Sequence, residues 1–140
     1  MKNKITIAVD FDGTLVTHQF PRIGVECPGA VSTIKALQQN GVKVFLWTMR
    51  DGEYLEAAKN WCKARGLELD AYNVSASGWG TSSPKQFANL YIDDSALGCP
   101  MKVTVEDGPG VDWWRISSML HDAELLSYEQ MVAIKKEIHE

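Results

Sequence analysis

Short apolar runs alternate with longer amphipathic stretches along this chain, and the alternation predicts strands and helices in turn. Lys4–Val9 (KITIAV) is β-branched and apolar and reads as a central strand. Gly13–Cys27 follows as a loop containing Pro21 and Gly24, too long for a tight turn and therefore a candidate functional segment. Pro28 suits the first turn of a helix in which Val31, Ile34 and Leu37 recur at helical spacing, and Gly41 suits its stop. Val42–Trp47 (VKVFLW) is a second strand. Asp51 is placed to cap a second helix with Leu55, Ala58 and Cys62 on one face. Glu53 and Glu56 lie near its start, Lys59, Lys63 and Arg65 near its end, and Gly66 stops it.

Leu69–Val74 reads as a short third strand and Ser75–Ser83 (SASGWGTSS) as a Gly/Ser-rich loop. Pro84–Phe87 reads as one helical turn before a fourth strand, Asn89–Ile92. After Asp94 the pattern becomes irregular through Cys99 and Pro100, then gives a brief strand at Lys102–Val105 and a turn at Glu106–Gly110 (EDGPG). Trp113, Ile116 and Leu120 define a third helix, onto whose sheet-facing side Trp113 and Trp114 are expected to pack. Met131, Ile134 and Ile138 define a last helix from about Ser127. Strands alternating with helices imply parallel pairing and a doubly wound α/β domain, with helices on both faces of the sheet. In such domains ligands bind beyond the carboxyl ends of the strands, where Asp10, Thr48 and Asp93 all emerge.

At 140 residues the chain is read as a single domain, 1–140, large enough to bury its own core. The net charge of −4 argues against a broad nucleic-acid surface and leaves room only for a local basic patch. Neither a signal peptide nor a membrane span is evident, so a cytoplasmic protein is expected. Cys27, Cys62 and Cys99 form no metal-binding or disulfide spacing and read as reduced, packed thiols. His18, His121 and His139 are too scattered for a soft-metal ligand set.

The chemistry concentrates in two acidic pairs, Asp10 with Asp12 in IAVDFDGTL and Asp93 with Asp94 in LYIDDSALG, each directly after an apolar strand. If those strands are neighbours, four carboxylates gather in one place. Two such charges ~4 Å apart repel by roughly 4 kcal/mol at an effective dielectric near 20, so the cluster calls for a cation, a proton or wide separation.

The order Asp10-Phe11-Asp12-Gly13-Thr14, then Thr48 after a strand, then Lys85, then Asp93-Asp94 after another strand resembles the four-motif signature of the haloacid dehalogenase superfamily. The resemblance covers residues 5 to 98. It implies a Rossmann-like core and an Mg²⁺-dependent phosphomonoester hydrolase in which Asp10 is the nucleophile, forming an aspartyl-phosphate, and Asp12 the general acid and base. By the same resemblance Thr48 and Lys85 bind the phosphoryl group. The metal is held by Asp10, the Asp12 backbone carbonyl and Asp93, with Asp94 a ligand through water or an anchor. The stretches 13–47 and 49–84 are already spent on core elements, so no large cap fits and the site is expected to be open to a bulky phosphorylated substrate. His18, Gln19, Phe20, Arg22, Arg50 and Trp79 are candidate substrate contacts. Two other readings stay open: a nucleic-acid-end 3′-phosphatase, and a regulatory module that binds phosphate without turnover. A homo-oligomer is expected if Tyr128, Met131 or Ile138 of the last helix faces solvent.

Overall fold

A computed structural model describes residues 5–74, 83–104 and 106–139. Four short strands, β1 (Thr6–Val9), β2 (Lys43–Leu46), β3 (Ala71–Tyr72) and β4 (Leu90–Ile92), form one parallel sheet in the order β3-β2-β1-β4. Helices α1 (Ala30–Gln39), α2 (Gly52–Ala64), α3 (Trp113–Asp122) and α4 (Tyr128–Ile138) flank it. A two-stranded antiparallel hairpin, β5 (Met101–Thr104) with β6 (Gly108–Val111), stands apart from the sheet. The architecture is therefore α/β. Among the described residues no large cap domain is present.

β1 is the inner strand on which the site depends. Ile7, Ala8 and Val9 are buried, and their neighbours are β2 on one side (Val9 opposite Leu46) and β4 on the other (Val9 opposite Ile92). A parallel strand buried on both faces reads as an unbroken apolar run, the pattern of ITIAV. The core extends from these strands to Ile34 and Leu37 of α1, Ala58 and Cys62 of α2 and Trp113, Ile116 and Leu120 of α3. Cys27 and Cys62 are buried and Cys99 half-buried, all three as free thiols. Burial raises the first two to about 12 and about 11, which leaves them unreactive. No helix among the described residues is long and apolar enough to cross a membrane.

Several expected boundaries shift for identifiable reasons. α1 begins at Ala30, with Gly29 as its N-cap, so Pro28 precedes the helix. A carboxylate oxygen of Glu26 accepts the Val31 N–H of the first turn, a capping bond reaching in from the preceding loop. Asp51 caps α2 in backbone position but its side chain makes no capping bond. The third strand shrinks to two residues because Asp70 turns its carboxylate back to accept the Val44 N–H, 2.7 Å away, and Asn73 leaves the extended region at φ 60°. Residues 84–87 form no helical turn. There the Tyr91 hydroxyl donates to the Gln86 carbonyl and accepts the Ala88 N–H, replacing the bonds a helix would have made.

The Glu106–Gly110 turn is narrower than expected: Glu106 and Asp107 turn, and Gly108–Val111 is the second strand of the hairpin. Trp113 is buried as expected. Trp114 is part-exposed and does not pack on the sheet: the Lys135 ammonium lies 3.7 Å from its ring centroid and the His139 ring stands edge-on to it. α3 and α4 begin with side-chain caps, Asp112 accepting from Trp114 and Arg115 and Ser127 forming a capping box with Gln130. Tyr128, at the start of α4, is exposed.

Candidate active site

The acidic pairs meet because their strands are neighbours. The Asp10 N–H donates to the Ile92 carbonyl at 3.0 Å, so the chain leaves β1 and β4 side by side and delivers Asp10, Asp93 and Asp94 to one edge of the sheet. After Phe11 the chain folds back sharply. Thr14, Leu15 and Val16 all donate their N–H groups to the Phe11 carbonyl, and Gly13 takes φ +81°. A β-carbon at position 13 would stand 2.3 Å from the Asp94 Oδ2, so glycine is needed for the close approach as well as for the turn.

Thr14, fully buried, fixes Asp94 from the other side. Its hydroxyl accepts the Asp94 N–H at 3.1 Å and lies 3.4 Å from Asp94 Oδ1, to which it can donate. The loop is braced from behind: the Trp113 indole N–H donates to the Thr14 carbonyl at 2.8 Å and the Val111 N–H to the Gly13 carbonyl at 3.0 Å. Asp93 is oriented by the Ser95 N–H, which its Oδ1 accepts at 2.8 Å.

Asp10, Asp93 and Asp94 each offer a carboxylate oxygen, and the three oxygens lie within 4.8 Å of one another. Burial, then the side-chain hydrogen bond with Asp94 and the charges of Asp93 and Asp94, push the Asp10 carboxyl up to about 8 against a backbone N–H bond from Phe11 that works the other way. Without a cation the cluster therefore keeps a proton at neutral pH. Its donors are all hard oxygens, a set that fits a divalent ion such as Mg²⁺ and not a soft metal.

The Asp12 side chain does not join this cluster. Its two oxygens accept from one guanidinium, Arg50 Nε to Oδ2 at 2.7 Å and Nη2 to Oδ1 at 2.8 Å, a fork-to-fork pair. Arg50, read from the sequence as a substrate contact, is only 2% exposed. Its guanidinium lies between the Phe11 and Phe20 rings, 5.1 Å from each centroid, and also donates to the carbonyls of Pro21, Arg22 and Tyr54. No spacing in the sequence signals that this arginine turns inward.

Thr48 follows β2 as expected. Its N–H donates to the Asn73 side chain and its hydroxyl oxygen accepts the Arg50 N–H, which leaves the hydroxyl proton free to donate into the site. Asn73 also donates to the Arg50 carbonyl, so this residue, not singled out from the sequence, clamps the whole 48–50 segment.

Asp10, Asp12, Thr48 and Asp94 face a cleft of about 270 Å³, with His18, Phe20, Met49, Arg50 and Ser95 also lining it. A wider groove of about 1030 Å³ lies elsewhere, between the end of α1 and the α3–α4 connection. Glu124 is the one carboxylate among its lining residues, so the smaller cleft is where the acidic chemistry collects. Gln19 and Arg22 are exposed on the loop over the site and hydrogen-bond to each other. Lys85 is not brought to the carboxylates: its side chain is exposed, its ammonium 5.1 Å from the Tyr91 ring centroid, and it does not line the cleft. Trp79 lies outside the described residues.

No family model and no curated protein matches the chain. It is similar to a solved structure described as that of the conserved protein coded by locus from Bacteroides thetaiotaomicron. The two share 44% sequence identity with a TM-score of 0.73, over 86% of this chain and 93% of that one.

Proposed function

This chain belongs to the same family as that conserved Bacteroides protein, and for it we propose an Mg²⁺-dependent phosphomonoester hydrolase, working through an aspartyl-phosphate on a doubly wound, Rossmann-like core. The observation that carries the reading is the convergence of Asp10, Asp93 and Asp94 at one sheet edge beside a cleft that Asp12 and Thr48 also face. The sheet order β3-β2-β1-β4, with a helix in each of the first two crossovers, supports the core assignment.

Asp10, Asp93 and Asp94 would hold the ion, the Asp12 backbone carbonyl completing the protein's share. When bound, the ion neutralises the carboxylates and the phosphoryl oxygens, which favours an ionised Asp10 near neutral pH. Asp10 then attacks phosphorus, the bond to the leaving oxygen breaks, and the phosphoryl group rests on the Asp10 carboxylate. Asp12 gives a proton to the leaving oxygen and later takes one from the water that attacks the phosphorus; the bond from Asp10 to phosphorus then breaks, its carboxylate is regenerated and inorganic phosphate leaves. Thr48 donates its hydroxyl proton to a phosphoryl oxygen. Thr14, Gly13 and Trp113 hold the geometry without touching the reacting atoms. Lys85 is left without a role in this scheme, since its ammonium lies over Tyr91.

The substrate is a phosphorylated molecule with an accessible ester, because no large cap among the described residues encloses the cleft. Release of inorganic phosphate from an aryl phosphate tests the reading. It should require Mg²⁺ and be abolished in Asp10→Asn, and full activity in that variant would overturn it.

A further inference from the structure

Arg50 does more than neutralise Asp12. From its buried position between two aromatic rings it reaches three separate parts of the site: the Asp12 carboxylate beyond β1, the Pro21 and Arg22 carbonyls in the loop over the cleft, and the Tyr54 carbonyl at the start of α2. The loop is tied down at its base by backbone bonds, Thr17 N–H to the Val25 carbonyl and Cys27 N–H to the Leu15 carbonyl. Its tip, residues 18–22, has no such ladder, and is held by the Arg50 contacts, the Phe20 ring over the guanidinium and the Phe20–Tyr54 ring pair at 5.2 Å.

Both oxygens of Asp12 accept from Arg50, each with one of its two lone pairs, so the fork sets the plane in which the carboxylate meets the cleft. A carboxylic acid can hand on its proton only from an oxygen within hydrogen-bond reach of the acceptor. The guanidinium plane that aims the carboxylate also carries the bonds to Pro21 and Arg22, so a movement of the loop tip turns Asp12 with it.

We propose that Arg50 is a positioning residue that latches the tip of the 18–22 loop to Asp12, so that the position of the loop tip and the aim of an Asp12 oxygen toward the leaving group are set together. The kinetic consequence rests on the phosphatase reading, whereas the mechanical coupling does not. Loop contact with the substrate would then be read out directly at the proton donor, and the arginine would set how far each substrate's leaving group is helped.

Two esters separate this role from a merely structural one: 4-nitrophenyl phosphate, whose leaving group departs without a proton, and glycerol 2-phosphate, whose alkoxide needs one. Arg50→Lys keeps the charge but loses the fork. It should lower kcat/KM for the glycerol ester at least about tenfold more than for the nitrophenyl ester, in the pattern Asp12→Asn gives, and the double variant should add little to either single. Hydrogen exchange in the metal-free protein supplies a readout independent of turnover and of Arg50→Lys folding. Asp12→Asn should raise amide exchange across residues 18–22 although it changes no residue of that loop. Equal losses on the two esters, or an 18–22 loop unaltered by Asp12→Asn, would overturn the latch. A wild-type protein inactive on both esters would remove the phosphatase reading, and loop exchange in Asp12→Asn would still decide the latch.

Discussion

The Asp94 carboxylate lies in the space that a side chain at position 13 would need: a β-carbon built on Gly13 comes 2.3 Å from Asp94 Oδ2 and 2.7 Å from its Cγ. Gly13→Ala therefore forces Asp94 away from Asp10, and does so at φ +81°, where alanine is itself strained. The expected cost is about 1–2 kcal/mol in stability from the backbone alone, together with a fall in Mg²⁺ affinity. Calorimetric titration with Mg²⁺ beside a denaturant melt checks both, and undiminished Mg²⁺ affinity in a folded Gly13→Ala variant would show that Asp94 is not a ligand or anchor.

Trp113 acts on the same loop from behind. Trp113→Phe fills most of the volume but strands the buried Thr14 carbonyl that the indole N–H now satisfies at 2.8 Å. A buried acceptor left without a partner costs about 1–3 kcal/mol, readable as a lower denaturation midpoint with an unchanged slope.

Asp12→Ala leaves the Arg50 guanidinium, 1% exposed at its side chain, without its carboxylate. Breaking a buried pair from one side is costlier than the pair is worth, and a loss of about 3 kcal/mol is expected. Asp12→Asn keeps the shape and one acceptor and should lose less. On turnover the order differs: Asp12→Asn should already slow an alkyl ester by about 10² to 10⁴ while leaving Mg²⁺ binding nearly intact.

The Asp10 carboxyl, raised from 3.8 to about 8 in the metal-free protein, makes stability fall with pH. Between those two values the folded protein holds a proton that the unfolded chain has already released. The contribution is complete below the lower value and is lost as pH rises through the upper one. Metal-free wild type should therefore lose more in Tm between about pH 5 and pH 8.5 than Asp10→Asn, which removes the titrating group, and added Mg²⁺ should raise Tm most at the alkaline end. Parallel Tm profiles for the two proteins would contradict the assignment.

The parts legible in the sequence are those fixed by local pattern. The β1, β2 and β4 runs and the helical faces of Ile34, Ala58 and Ile116 follow from apolar periodicity, and the siting of Asp10 and Asp93 follows from their place at strand ends. Where the pattern misled, a tertiary contact decided. The EDGPG segment reads throughout as a turn, but only Glu106 and Asp107 turn: Gly110 is small because the Cys27 Sγ packs 2.6 Å from where its β-carbon would be, and the segment runs on as β6. The resemblance assigns Lys85 to the phosphoryl group, but order along the chain does not set where its side chain ends, and the ammonium lies over Tyr91. Arg50 is a candidate substrate contact from its place just after Thr48, and nothing local tells how deeply it is buried. Its burial comes from Asp12, Phe11, Phe20 and three carbonyls that converge only in the folded chain.

The most direct measurement follows the phosphoryl group itself. Protein mixed with an aryl phosphate and Mg²⁺, quenched in acid and digested, should carry one phosphoryl group on the peptide containing Asp10. That label should disappear when Mg²⁺ is withheld and in Asp10→Asn. Release of phosphate at full rate by a protein that never carries the label, and that keeps its rate when Asp10 becomes asparagine, would contradict the account.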